Sequence, residues 1–125
     1  MIEIKPVKGK VNAIVKVPGS KSYTNRALIT AALAEGNSVI SNALFSEDTK
    51  HMATSLNALG ISIEEEQDTC KYLVHGKGGD IPAKEANLFV GNAGTAMRFL
   101  TAMLTLGNGI YEIDGIERMR QRPIQ

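Results

Sequence analysis

An internal repeat constrains this chain more than any other feature. Shifted by 73 residues, VPGSKSYTNRALITAALAEGNSVI falls on VGNAGTAMRFLTAMLTLGNGIYEI. Val17 meets Val90, Ser22 meets Thr95, Ala27 meets Leu100, Leu33 meets Leu106, Gly36 meets Gly109 and Ile40 meets Ile113. Each copy reads strand, Gly-containing turn, apolar helix, Gly, strand. The period exceeds those of common solenoids, so the copies are larger supersecondary units. The pattern predicts strands at about 11–17, 38–42, 62–66 and 71–75, which gives an α/β (α+β) fold. A β-α-β-α-β-β unit is expected over 11–78, and a second begins at 86 and runs to 125. GKGGDIPAKEA, residues 76–86, links the two with Gly and Pro. The second unit stops where its second helix would be due, so one complete unit and part of another are expected.

Local signals refine the elements. The first helix is predicted over about Ser22–Ala34, stopping at Gly36. The second is predicted over Glu47–Leu59, capped by Ser46, with Glu47 and Asp48 suiting its first turn. Met52, Leu56 and Leu59 form its apolar stripe, with Lys50, His51 and Asn57 outward. The third is expected over about Gly94–Leu106. It and the first are apolar on nearly every side yet too short to span a bilayer, so both are expected at the centre of a protein core. ISIEEEQDTCKYLVHG reads as a hairpin turning near Gln67–Asp68 with a solvated acidic face.

Composition narrows the function. The formal charge is +1, so no global field draws the chain to nucleic acid or an anionic membrane. With three Tyr, three Phe and no Trp, stacking platforms for single-stranded nucleic acid are not expected. Cys70 is the only cysteine, which fits a reducing cytoplasm. His51, Cys70 and His75 are scattered and form no metal-ligand cluster. Attraction for anions must therefore be local.

Three segments carry such attraction. In VPGSKSYTNR, Lys21 stands at a helix start, where positive charge opposes the helix dipole unless an anion is bound. Ser20, Ser22 and Thr24 add hydroxyls, and Arg26 shares the face of Ser22. The run lacks the spacing of a P-loop. In GNAGTAMR, Gly91 and Gly94 admit close backbone approach, and Asn92 and Thr95 are polar. Arg98 projects from an apolar helix, either toward a ligand or into an ion pair with Asp48 or Glu47. In ERMRQRPIQ, an extended backbone would set Arg118, Arg120 and Arg122 on one side. Planar guanidinium groups suit phosphate and carboxylate, while a solvated basic tail is the plainer alternative.

Together PGSKSYTNRALITAALAEG, GNAGTAMRFL and RMRQRPI resemble the 5-enolpyruvylshikimate-3-phosphate synthase family, and SEDTKHMATSLNALGI resembles its intervening segment. The resemblance covers essentially the whole chain. It implies transfer of the enolpyruvyl group of phosphoenolpyruvate to the 5-hydroxyl of shikimate 3-phosphate, with release of phosphate. It implies that Lys21, Ser22 and Arg26 contact shikimate 3-phosphate, with Lys21 catalytic and also reaching phosphoenolpyruvate. Gly94, Thr95 and Arg122 match the phosphoenolpyruvate side, where glyphosate also binds, and Asn92 and Arg98 shape that loop. Phe99 stands where many members have Pro, a departure expected to bear on the inhibitor side. No metal or organic cofactor is implied.

The family fold is an inverse α/β barrel of β-α-β-α-β-β units in two domains, with helices inside and sheets outside. The chain is expected to be an N-terminal fragment, inactive without the remainder of the full-length enzyme. Two other readings stand beside this one. A UDP-N-acetylglucosamine enolpyruvyl transferase would carry Lys-Asn in place of Lys21-Ser22 and a reactive cysteine in place of Glu117. A non-catalytic anion-binding or structural module would need neither.

Overall fold

Ser46 starts a helix in the way its sequence predicts. Its hydroxyl accepts the Thr49 N–H at 3.4 Å, and the Thr49 hydroxyl accepts the Ser46 N–H at 2.9 Å. This reciprocal cap satisfies two donors that a helix start leaves open. In the computed structural model, which describes residues 2–123, that helix is α2 (Glu47–Ala58). The chain order is α1 (Lys21–Leu33), β1 (Glu35–Ser41), α2, β2 (Ile63–Glu66), β3 (Lys71–Lys77), β4 (Glu85–Phe89), α3 (Gly94–Leu104), β5 (Ile110–Asp114) and α4 (Glu117–Arg120). The fold is mixed α/β, and the described residues close no barrel.

β1, β3 and β2 form one antiparallel sheet in that order. Alternation in β3 turns Tyr72 and Val74 inward, where both are fully buried. β2 buries Ile63 and exposes Glu64, Glu65 and Glu66, the acidic face expected of the hairpin. α1 lies against this sheet and touches α2 and α3. Leu28, Met52, Leu56, Leu59, Ile61 and Leu100 are fully buried between these layers. β4 and β5 pair in parallel with α3 as the crossover, from Glu85 opposite Ile110 to Phe89 opposite Asp114. α1 and α3 start 73 residues apart, at Lys21 and Gly94.

Four expectations need correction. Residues 11–17 form no strand, and Val11, Ile14, Val15 and Val17 are 69–100% exposed. A strand needs a ladder partner for its N–H and C=O groups, and none of the described residues supplies one. The segment with three arginines is not extended, because 117–120 makes one helical turn. That turn buries Met119, which an alternating pattern would have set opposite the arginines. α1 and α3 are not enclosed on all sides. Tyr23 and Thr30 on α1, and Thr101 and Ala102 on α3, are exposed, since sheet and helix cover only one face of each. His51 is only partly exposed, whereas Lys50 and Asn57 are exposed as expected. His51 meets the Phe89 ring edge-on at 5.7 Å, and the Asn57 side chain accepts the Ile63 N–H at 2.8 Å.

Residues 125 and 124 lie outside the described residues, so Ile124 of RMRQRPI is not placed. Among the described residues, no helix is long and apolar enough to cross a membrane.

Candidate active site

Each of the three longer helices presents its first turn to one cleft. At the start of α1 the Ser20 hydroxyl accepts the Tyr23 N–H at 3.4 Å. Buried Thr24 fixes the orientation of this turn. Its hydroxyl donates to the Ser20 carbonyl at 2.9 Å and accepts the Leu44 N–H at 3.0 Å. Lys21 is the first residue of α1, and no acidic residue lies in that turn. Its charge is met from across the cleft, where Asp48 of α2 approaches Lys21 Nζ at 2.7 Å. Glu47 and Asp48 occupy the first turn of α2, where carboxylates complement the dipole.

α3 begins differently. No side chain caps it; the Gly94 N–H donates to the Asn92 carbonyl at 3.0 Å, which leaves the Thr95 and Ala96 N–H groups without a backbone partner. The turn before it depends on Gly91, whose φ is +55°. The Gly91 carbonyl accepts the Ile116 N–H at 3.0 Å, tying this turn to the chain beyond β5. The next segment folds back over α3. Arg122 Nη1 donates to the Asn92 carbonyl at 3.5 Å, and Arg98 Nη2 donates to the Pro123 carbonyl at 3.4 Å. A side chain at Gly94 would place its Cβ 2.7 Å from Arg122 Nη1, so glycine is what lets that guanidinium lie over the helix start.

The resulting cleft holds about 500 Å³ and is lined by Lys21, Glu47, Asp48, Asn92, Gly94, Thr95, Arg98 and Arg122. Ser22 and Arg26 do not line it. They lie beside it on α1, with Arg26 Nη1 donating to the Ser22 carbonyl at 3.0 Å and to the Ser22 hydroxyl. Arg98 makes no ion pair with Asp48 or Glu47 among the described residues; Asp48 goes to Lys21 instead. Arg120 turns away from the cleft. Its Nε donates to Asp114 Oδ1 at 2.9 Å, and this contact, with the Gly115 N–H, holds the Asp114 carboxyl down at about 2. A larger groove of about 1100 Å³ runs between 16–19, 42–45 and 67–70. It offers Lys16 against Asp68 and no helix N-terminus, so the smaller cleft is the better anion site.

Glu47 and Asp48 are the site residues that sequence reasoning placed in a helix start or opposite Arg98, and not opposite Lys21. Their signal was present, since an acidic first turn on one helix and a lysine on another invite a pair. The EPSP synthase (3-phosphoshikimate 1-carboxyvinyltransferase) family model matches residues 5–125. The chain belongs to this family. It is 55% identical over 123 residues to the 3-phosphoshikimate 1-carboxyvinyltransferase of Nostoc sp., covering 98% of this chain and 29% of the relative. The chloroplastic enzyme of Petunia hybrida is 46% identical, with 98% of this chain and 25% of the relative covered. Among solved structures, EPSP synthase from Acinetobacter baumannii superposes with a TM-score of 0.73 at 30% identity, over 88% of this chain and 25% of that one. The chain thus spans less than a third of the length of the curated relatives it matches.

Proposed function

We propose that this chain forms one wall of an enolpyruvyl transferase site, which moves the enolpyruvyl group of phosphoenolpyruvate to the 5-hydroxyl of shikimate 3-phosphate and releases phosphate. The observation that carries this reading is the meeting of three helix first turns in one cleft with Lys21, Arg98 and Arg122. Both substrates are anions, and phosphoenolpyruvate carries phosphate and carboxylate together. Helix N-termini and guanidinium groups offset the repulsion between such groups when they share a site.

In this reading Lys21, Ser22 and Arg26 hold shikimate 3-phosphate, and Gly94, Thr95 and Arg122 hold phosphoenolpyruvate. Asn92 and Arg98 shape the loop between them. Lys21 is assigned as the catalytic residue, because it lines the cleft beside both groups of substrate contacts and Asp48 holds its ammonium there. A proton delivered to the alkene carbon, with attack by the 5-hydroxyl as a base takes its proton, gives a tetrahedral intermediate; phosphate then leaves as a proton is lost from the new methyl group, which re-forms the alkene. No cofactor enters the scheme. The remainder of a longer enzyme supplies the opposite wall. A cytoplasmic setting accords with the exposed free thiol of Cys70. The test is phosphate release by the natural enzyme that carries this sequence. Release that requires both substrates supports the assignment, and release with UDP-N-acetylglucosamine in place of shikimate 3-phosphate overturns it.

A further inference from the structure

Arg26 is exposed on α1, yet it is held at two points. Its Nη1 donates to the Ser22 carbonyl at 3.0 Å, and its Cζ lies 5.4 Å from the centre of the Phe99 ring on α3. That distance is within the range of a cation–π contact. Phe99 is half-buried and packs against the core, so its ring is a fixed platform rather than a mobile cover. The two residues occupy equivalent positions of the 73-residue repeat, where the helices of the two copies touch. Among the described residues Arg26 pairs with no carboxylate. This sets it apart from Lys21 and Arg120, which both do.

The distinction matters for binding. A carboxylate orients a guanidinium but consumes part of its charge. A ring face orients it by attraction to the quadrupole and leaves its charge available to an anion. An aliphatic side chain at 99 would fill the same space and give no such hold.

We propose that Phe99 is a positioning residue for Arg26, its ring face fixing the guanidinium for an anionic group of shikimate 3-phosphate without neutralising it. The proposal rests on the functional reading above. It moves the expected influence of Phe99 to the shikimate 3-phosphate side.

The test compares Phe99→Leu, which keeps apolar bulk, with Phe99→Tyr, which keeps the ring face, in the natural enzyme. Phe99→Leu should raise KM for shikimate 3-phosphate about three- to tenfold, the scale of an exposed cation–π contact. KM for phosphoenolpyruvate and kcat should stay within about twofold, and Phe99→Tyr should restore the loss. A purely structural role would move both KM values and kcat together in Phe99→Leu. An unchanged shikimate 3-phosphate KM in Phe99→Leu, or the same loss in both variants, overturns the proposal. A second readout is the Arg26 Nε–H signal by NMR, assigned with Arg26→Lys. It should be shifted by the ring in the unsubstituted protein and in Phe99→Tyr, and lose that shift in Phe99→Leu. If the unsubstituted enzyme does not use shikimate 3-phosphate, the functional reading falls, and this signal alone decides whether Phe99 holds Arg26.

Discussion

Asp48 Oδ2 lies 2.7 Å from Lys21 Nζ, so an ion pair joins the first turns of α1 and α2 across the candidate cleft. The pair answers an electrostatic problem set by the sequence, because a lysine at the start of α1 opposes that helix's dipole. It also points the ammonium at the space between the helices. Replacing Lys21 with Ala in the natural enzyme should lower kcat/KM at least about a hundredfold, because both substrates lose a charge-assisted contact. Lys21→Arg should recover only part, since a planar fork does not reproduce a compact point charge. Asp48→Asn should cost less, about three- to tenfold, because half of the Lys21 side chain is exposed and water screens the pair. Steady-state kinetics with both substrates checks all three, and wild-type values in Lys21→Ala would remove Lys21 from the site.

The helices were legible because their ends carry chemical marks. Ser46 with Glu47 and Asp48, Gly94 with Thr95, and the hairpin turn after Glu66 all fell where the sequence put them. The motif residues Lys21, Asn92, Gly94, Thr95, Arg98 and Arg122 also come to one cleft. What was not legible depended on a partner. Val11 to Val17 has the composition of a strand, but pairing needs a second backbone that residue order alone does not name. The alternation of Arg118, Arg120 and Arg122 fits an extended chain. Local periodicity was outweighed there by the burial of Met119 and by the Asp114–Arg120 ion pair, which decide for a helical turn instead.

Gly94 makes a sharper test of the opposite side of the cleft. A methyl group there would sit 2.7 Å from Arg122 Nη1, which is the free end of a flexible side chain. The backbone need not move, but the guanidinium must. Gly94→Ala should therefore leave the thermal midpoint within about a degree and raise KM for phosphoenolpyruvate about three- to tenfold, the loss of one imperfect charge-assisted bond. KM for shikimate 3-phosphate should change less. Equal changes in both constants would show that Arg122 does not favour one substrate.

The Asp114–Arg120 pair gives a pH signature outside the cleft. The Arg120 guanidinium first, and then the Gly115 N–H, draw the Asp114 carboxyl from its ordinary 3.8 down to about 2. A depressed folded value means that the pair adds stability above the unfolded value. That stability falls away as pH drops from about 4 to 2. Carboxyl carbon NMR shifts should place the Asp114 midpoint near 2 in the unsubstituted chain. In Arg120→Ala the midpoint should rise toward the ordinary carboxylate range. An unmoved midpoint in the variant would mean that Arg120 is not the cause.

The 125-residue chain by itself should bind phosphate-bearing anions without turning them over. Its three helix first turns, Lys21, Arg26 and Arg122 are all present, and they rest on a shared buried core that includes Leu28, Leu56 and Leu100. A charge-assisted hydrogen bond contributes about 1.5–3 kcal/mol. Two or three of these, less the cost of association, correspond to a Kd on the order of 1 mM. Exposed charges make the affinity sensitive to salt, so binding should weaken between low and physiological ionic strength. Turnover needs more than one wall, since the substrates must be enclosed and their reacting atoms aligned. Titration with shikimate 3-phosphate, followed by amide NMR, should move residues 20–26 most and residues 92–98 less. No phosphate should be released when phosphoenolpyruvate is added as well. Saturating ligand that leaves residues 20–26 unmoved in a folded sample would refute local binding. Steady phosphate release that depends on both substrates would refute the need for a second wall.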